Sequence, residues 1–98
     1  MKDVSEIIRV LREQKEQLGK DGVTEIGLFG SYARGDASES SDIDVLLGLS
    51  DDSPLTLFSL VGIEQSLSEK LEAKVDLVLR RDLKPAIGRR VLSEVRYV

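Results

Sequence analysis

The chain has 98 residues, 14 Lys and Arg against 18 Asp and Glu, a formal net charge of -4, and neither cysteine nor histidine. That length predicts one domain over 1–98 with one modest core, and the missing residues exclude disulfides, thiol chemistry, Ser-His-Asp catalysis and His- or Cys-ligated zinc. Mixed charge with 41% hydrophobic residues disfavours disorder, no apolar run approaches the ~20 residues of a membrane span, and no apolar stretch follows Met1–Glu6 to serve as a signal peptide.

Val4, Ile7, Ile8, Leu11 and Leu18 fall on one helical stripe. Asp3 and Glu6 are spaced as a capping box, with Ser5 as the other candidate cap, and Gly19 to Gly22 ends the helix. Val23 to Phe29 reads as a strand with Ile26 and Leu28 on one face. Gly30 stops it, Ser31 to Gly35 forms a helical turn, and Asp36 to Ser41 is a polar loop. Asp42 to Leu49 alternates and then turns apolar, as a strand entering a core does.

Ser53-Pro54 has the form of a helix start, followed by Leu57, Leu60, Val61, Leu67 and Leu71 at helical spacing to about Glu72. Lys74 to Leu79 is a third strand, with Val75, Leu77 and Leu79 facing one way. Asp82 is placed to cap a final helix in which Ile87, Val91, Leu92 and Val95 line one face and Pro85 sits in the first turn. The pattern predicts an α/β (α+β) fold: a small mixed three-stranded sheet backed by helices.

Charge is unevenly distributed. Gly35 to Ser53 holds six acids and no base, whereas Arg80 to Val98 holds six bases and two acids. An acidic chain argues against non-specific nucleic-acid binding. The basic tail is either a solvated helix face or a docking surface.

Without His or Cys, catalysis falls to carboxylates, Lys/Arg, hydroxyls, backbone amides or a hard metal ion. Gly30-Ser31-Tyr32-Ala33-Arg34-Gly35 follows a strand and opens a helical turn, which aims backbone N–H groups at whatever lies above it. Alone this is equally an ordinary tight turn. Asp42 and Asp44 are two apart on a strand and so point to the same side. Two such acids repel unless a cation or water intervenes; the plain alternative is a solvated strand end. Asp76 stands between Val75 and Leu77 in a buried-looking strand, where a carboxylate is costly unless paired or metal-bound. Lys74 or an Arg is the plain partner. If the third strand lies beside the second, Asp76 joins Asp42 and Asp44 in an all-oxygen site suited to Mg²⁺ or Mn²⁺. A phosphate-cradling turn followed by these three acids is what phosphoryl or nucleotidyl transfer requires.

These motifs, Gly30-Ser31-x-Ala33-Arg34-Gly35, then Ser41-Asp42-Ile43-Asp44-Val45-Leu46, then Val75-Asp76-Leu77-Val78, resemble the DNA-polymerase-β-type nucleotidyltransferase superfamily, and within it the minimal nucleotidyltransferase branch of prokaryotes. The resemblance runs from about Asp3 to Tyr97. It implies that Gly30 and Ser31 hold the β- and γ-phosphates of a nucleoside triphosphate. It further implies that Asp42 and Asp44 bind two Mg²⁺ ions, and that Asp76 completes the second metal site and helps deprotonate the acceptor hydroxyl. Arg34 is assigned to phosphate, or to pairing with Asp36 or an acid of a partner.

Members of this branch act as antitoxins beside HEPN-domain toxins, transferring AMP from ATP to a tyrosine hydroxyl of the toxin. The resemblance therefore implies a Mg²⁺-dependent protein adenylyltransferase acting in the cytoplasm. The basic C-terminal helix and exposed parts of the Leu57–Leu71 helix are candidate docking faces, and an apolar face left by so small a sheet could pair two copies or dock the partner. Two other readings stand beside this one. An antitoxin could neutralise its partner by stoichiometric binding with little catalysis, although a pure binder has no need of three crowded acids. A nucleotidyltransferase could also act on a small molecule or RNA, against which the short chain and acidic charge both count.

Overall fold

A computed structural model describes residues 2–98. Helix α1 (Val4–Gly19) leads into strand β1 (Val23–Phe29), the short helix α2 (Gly30–Arg34) and strand β2 (Ile43–Leu49). Helix α3 (Leu57–Leu71), strand β3 (Val75–Leu79), a 3-10 turn (Arg80–Asp82), helix α4 (Pro85–Glu94) and strand β4 (Arg96–Tyr97) follow. The sheet has four strands in the order β3-β2-β1-β4, one more than the sequence predicts. The extra strand is two residues long and adds antiparallel to β1, with Gly27 opposite Tyr97. So short a segment has no periodicity of its own; pairing with β1 makes it a strand.

β1 and β2 run antiparallel, and β2, α3 and β3 form a parallel βαβ crossover. The start of β2 therefore lies beside the start of β3 and the end of β1. Alternation sorts the faces. Ile26, Leu28, Ile43, Val45, Leu47 and Val75 turn to the core, where Ile7, Leu11 and Leu18 of α1 and Leu67 and Leu71 of α3 close over them. The other face carries Asp44 and the buried Leu46, and α4 covers part of it.

Three boundaries differ from the sequence reading. Asp3 caps α1 alone, its Oδ1 accepting from Ser5 N at 2.8 Å, while Glu6 pairs with Lys2 instead of closing a capping box. α3 starts at Leu57, not at Ser53-Pro54. Ser53 Oγ donates to the Asp21 carbonyl at 2.6 Å, and Thr56 Oγ1 caps the helix by accepting from Ser59 N at 3.1 Å. Lys84 precedes α4 with no side-chain cap, so Asp82 does not cap it.

The apolar stripes are also narrower than their spacing suggests. In α3 only Leu67 and Leu71 are fully buried, while Leu57 and Phe58 are exposed. In α4 Gly88 and Val91 face inward, Ile87 and Leu92 are exposed, and Val95 lies beyond the last helical residue. No helix among the described residues is long and apolar enough to cross a membrane.

β3 is an edge strand. Its outward N–H groups are taken by α3: Leu77 N donates to Glu64 Oε2 at 3.0 Å and Val75 N to Ser68 Oγ at 3.0 Å. Glu64→Ala removes the acceptor of Leu77 and is expected to cost about 1 kcal/mol in urea unfolding. Glu69→Ala, at an exposed position of the same helix, should stay within about 0.5 kcal/mol.

Candidate active site

The sheet register builds the site. Asp44 lies opposite Asp76 across the parallel β2–β3 pair, and opposite Phe29 at the end of β1. Directly paired strand residues project from the same face, about 4.8 Å apart in the strand-to-strand direction. Asp42 and Lys74 each lie two residues before these acids, and Lys74 Nζ approaches Asp42 Oδ2 at 3.8 Å. The row thus reads Asp42 with Lys74, then Asp44 with Asp76. The structure brings Asp42, Asp44 and Asp76 to one corner, as the motifs require.

Asp76 corrects the sequence reading in one respect. It is exposed, because β3 has a neighbour on one side only. The expected cost of burying it does not arise. Lys74 makes a loose ion pair with Asp42, and Asp76 forms no ion pair among the described residues.

Gly30 seats the turn against these acids. Its φ is +76°, and a Cβ built there would collide with the Asp44 carboxylate. The backbone of Gly30 and Ser31 therefore approaches Asp44 as only glycine permits. α2 has five residues, and its N-cap position, Phe29, offers no side-chain acceptor. Its first-turn N–H groups thus receive no side-chain cap and have no partner within the helix. Buried Tyr32 anchors the turn in the core, and Gly35, at φ +86°, ends the helix.

Arg34 pairs with two carboxylates outside the Asp42, Asp44 and Asp76 group. Its Nη1 donates to Glu94 Oε2 at 2.9 Å and its Nε to Asp36 Oδ2 at 3.3 Å. Bonding to Glu94, then to Asp36, raises its already high pKa further. Of the expected pairings, the one with Asp36 is present, and the second acid comes from this chain's own α4. Gly30, Ser31, Arg34, Asp44, Arg90 and Glu94 share one cleft of about 280 Å³. Arg90 and Glu94 carried no signal as site residues in the sequence beyond a lone acid closing a basic helix.

The Asp44 carboxyl holds its proton more tightly than an ordinary carboxylate. Burial is the main cause, the charges of Asp76 and Asp42 add to it, and Arg34 opposes it. The corner is thus in surplus of negative charge. No three acid side chains among the described residues close into a finished cage. Asp42, Asp44 and Asp76 are nonetheless hard oxygen donors on one face, the donor type that a divalent cation takes. A roomier cleft of about 470 Å³ between α1 and α3 has Asp21 as its single charged lining residue and no such donors.

Residues 7–98 match the family described as "Nucleotidyltransferase domain". The chain belongs to this nucleotidyltransferase family. It is 41% identical to the protein adenylyltransferase MntA of Thermococcus cleftensis, over 100% of this chain and 98% of that one. A solved toxin–antitoxin structure with AMP-PNP superposes at a TM-score of 0.73 with 27% identity, covering 98% of this chain and 72% of the other. At 23% identity and a TM-score of 0.67, the fold is also that of a chain in the complex of tri-AMPylated Shewanella oneidensis HEPN toxin with MNT antitoxin, covering 94% of this chain and 67% of the other. The α/β architecture and the nucleotidyltransferase assignment read from the motifs are both borne out.

Two outcomes follow for this nucleotidyltransferase. Gly30→Ala meets both the positive φ and the Asp44 carboxylate, and is expected to cost about 1–3 kcal/mol of stability in urea unfolding. Asp44 binds its proton more tightly folded than unfolded, so ionising it costs stability at neutral pH. Asp44→Asn should therefore raise Tm at pH 7. The gain should fade as pH falls through the raised pKa and vanish below about pH 3.9, where the carboxyl is neutral in both states.

Proposed function

We propose that this chain works as a single-domain, Mg²⁺-dependent protein adenylyltransferase and antitoxin, transferring AMP from ATP to a tyrosine hydroxyl of a HEPN-domain toxin in the cytoplasm. The observation that carries the reading is the register of β2 and β3, which sets Asp44 against Asp76 directly beside the Gly30–Ser31 turn. The full-length match to a protein adenylyltransferase supports a protein acceptor, which brings its own docking surface.

In this reading the Gly30 and Ser31 amides and the Ser31 hydroxyl hold the β- and γ-phosphates. Asp42, Asp44 and Asp76 are the residues that would hold Mg²⁺, which supplies charge neutralisation for the triphosphate and a lowered pKa for the attacking hydroxyl. The tyrosine oxygen attacks the α-phosphorus, the new O–P bond forms as the α–β anhydride bond breaks, and pyrophosphate leaves. Asp76, exposed at the sheet edge and unpaired, is accessible to an incoming acceptor and takes the phenolic proton. Arg34, held by Glu94 and Asp36, flanks the phosphate turn and lends it positive charge.

Co-expression with a candidate HEPN-domain toxin tests the reading by intact mass. The toxin is expected to gain whole AMP units on tyrosine with the wild-type chain and none with Asp42→Ala/Asp44→Ala. An unmodified toxin that still co-purifies and is still neutralised would replace catalysis with stoichiometric binding. Modification of RNA or a small molecule in place of the toxin would move the acceptor class.

A further inference from the structure

The triphosphate that the proposed reaction uses carries several negative charges, and it must lie beside three carboxylates. The Gly30–Ser31 turn offers it neutral N–H and O–H donors. Cations are also needed, and the chain offers few at this corner. Lys74 lies outside the cleft that Gly30 and Ser31 line, and Arg34 is held by two carboxylates, Glu94 at 2.9 Å and Asp36 at 3.3 Å.

Arg90 is differently placed. It projects from α4 into the cleft of about 280 Å³ that Gly30, Ser31 and Asp44 line from the sheet side. Among the described residues its one ionic partner is Glu94, with Nε 3.9 Å from Oε1, beyond hydrogen-bond length. Its side chain is 74% exposed, against 15% for Glu94. Glu94 thus gives its close bond to Arg34 and leaves the Arg90 guanidinium available at the open side of the cleft. A guanidinium recognises phosphate oxygens through paired N–H donors.

We propose that α4 forms the outer wall of the nucleotide site and that Arg90 binds the terminal phosphates of the triphosphate, and hence the departing pyrophosphate. Glu94 is the positioning residue of this wall. It pins α4 to Arg34 and competes with phosphate for both guanidinium groups. The assignment rests on the nucleotide-transfer reading and adds to it a substrate contact on a helix that the motifs do not reach.

Calorimetric titration of the chain with Mg²⁺ and ATP, pyrophosphate or AMP tests this without any partner protein. Arg90→Ala is expected to weaken ATP and pyrophosphate about tenfold and to leave AMP within about twofold, since AMP lacks the terminal phosphates. Arg89→Ala, an exposed neighbour outside the cleft, should change none of them. Glu94→Gln removes the competing charge and should tighten ATP severalfold, with circular dichroism confirming an intact fold. ATP affinity unchanged in Arg90→Ala, or ATP and AMP weakened equally, would overturn the assignment. A wild-type chain that binds no ATP would remove both this inference and the transferase reading. ATP binding that depends on Arg90, with no AMP transferred to the toxin, would uphold the inference and overturn the proposed function alone.

Discussion

The parallel hydrogen-bonded pairing of β2 with β3 is the constraint on which the site depends. It fixes Asp44 opposite Asp76. The antiparallel pairing on the other side of β2 fixes the end of β1, and therefore the Gly30 turn, at the same place. Side-chain period is two, so a slip of one residue in either pairing would carry Asp44 into the core and bring Val45 to the phosphate turn. The core prevents that slip, because Ile43, Val45 and Leu47 are fully buried on the opposite face. The hydrophobic packing that stabilises the sheet and the alignment of the acids are one specification.

The corner works against its own stability. Asp44 is partly desolvated and faces the charges of Asp76 and Asp42, with only Arg34 opposing. Gly30 adopts a left-handed conformation to reach it. The first is unfavourable wherever no positive charge compensates it, and the second confines the position to glycine.

Local patterns made much of this visible in the sequence. The two-residue spacing of Asp42 and Asp44 places them on one face in any strand, and glycine after a strand and before a helical turn is a local signal. What needed the third dimension was pairing. Asp76 could be grouped with Asp42 and Asp44 only on condition that β3 neighbours β2. Its burial was misjudged because a strand read singly does not reveal that it is an edge. β4 escaped notice because two residues carry no period. α4 was misread because apolar spacing marks Ile87 and Leu92 as well as Val91, whereas Gly88, with no side chain at all, sits at the contact. The role of Glu94 was invisible for a related reason: its partner Arg34 lies 60 positions away.

The side chains of Glu64 and Ser68 on the β3 edge have a consequence for assembly. An open strand edge recruits other strands, and this one begins one residue away from Asp76. By occupying the N–H groups of Val75 and Leu77, α3 denies an approaching polypeptide the backbone ladder it would need there. In the proposed reaction an acceptor reaching Asp76 would therefore present its residue from a loop or helix, and a neighbouring strand finds a weakened template on that side. Growth of the sheet is confined to the far edge, where β4 offers two residues and little purchase.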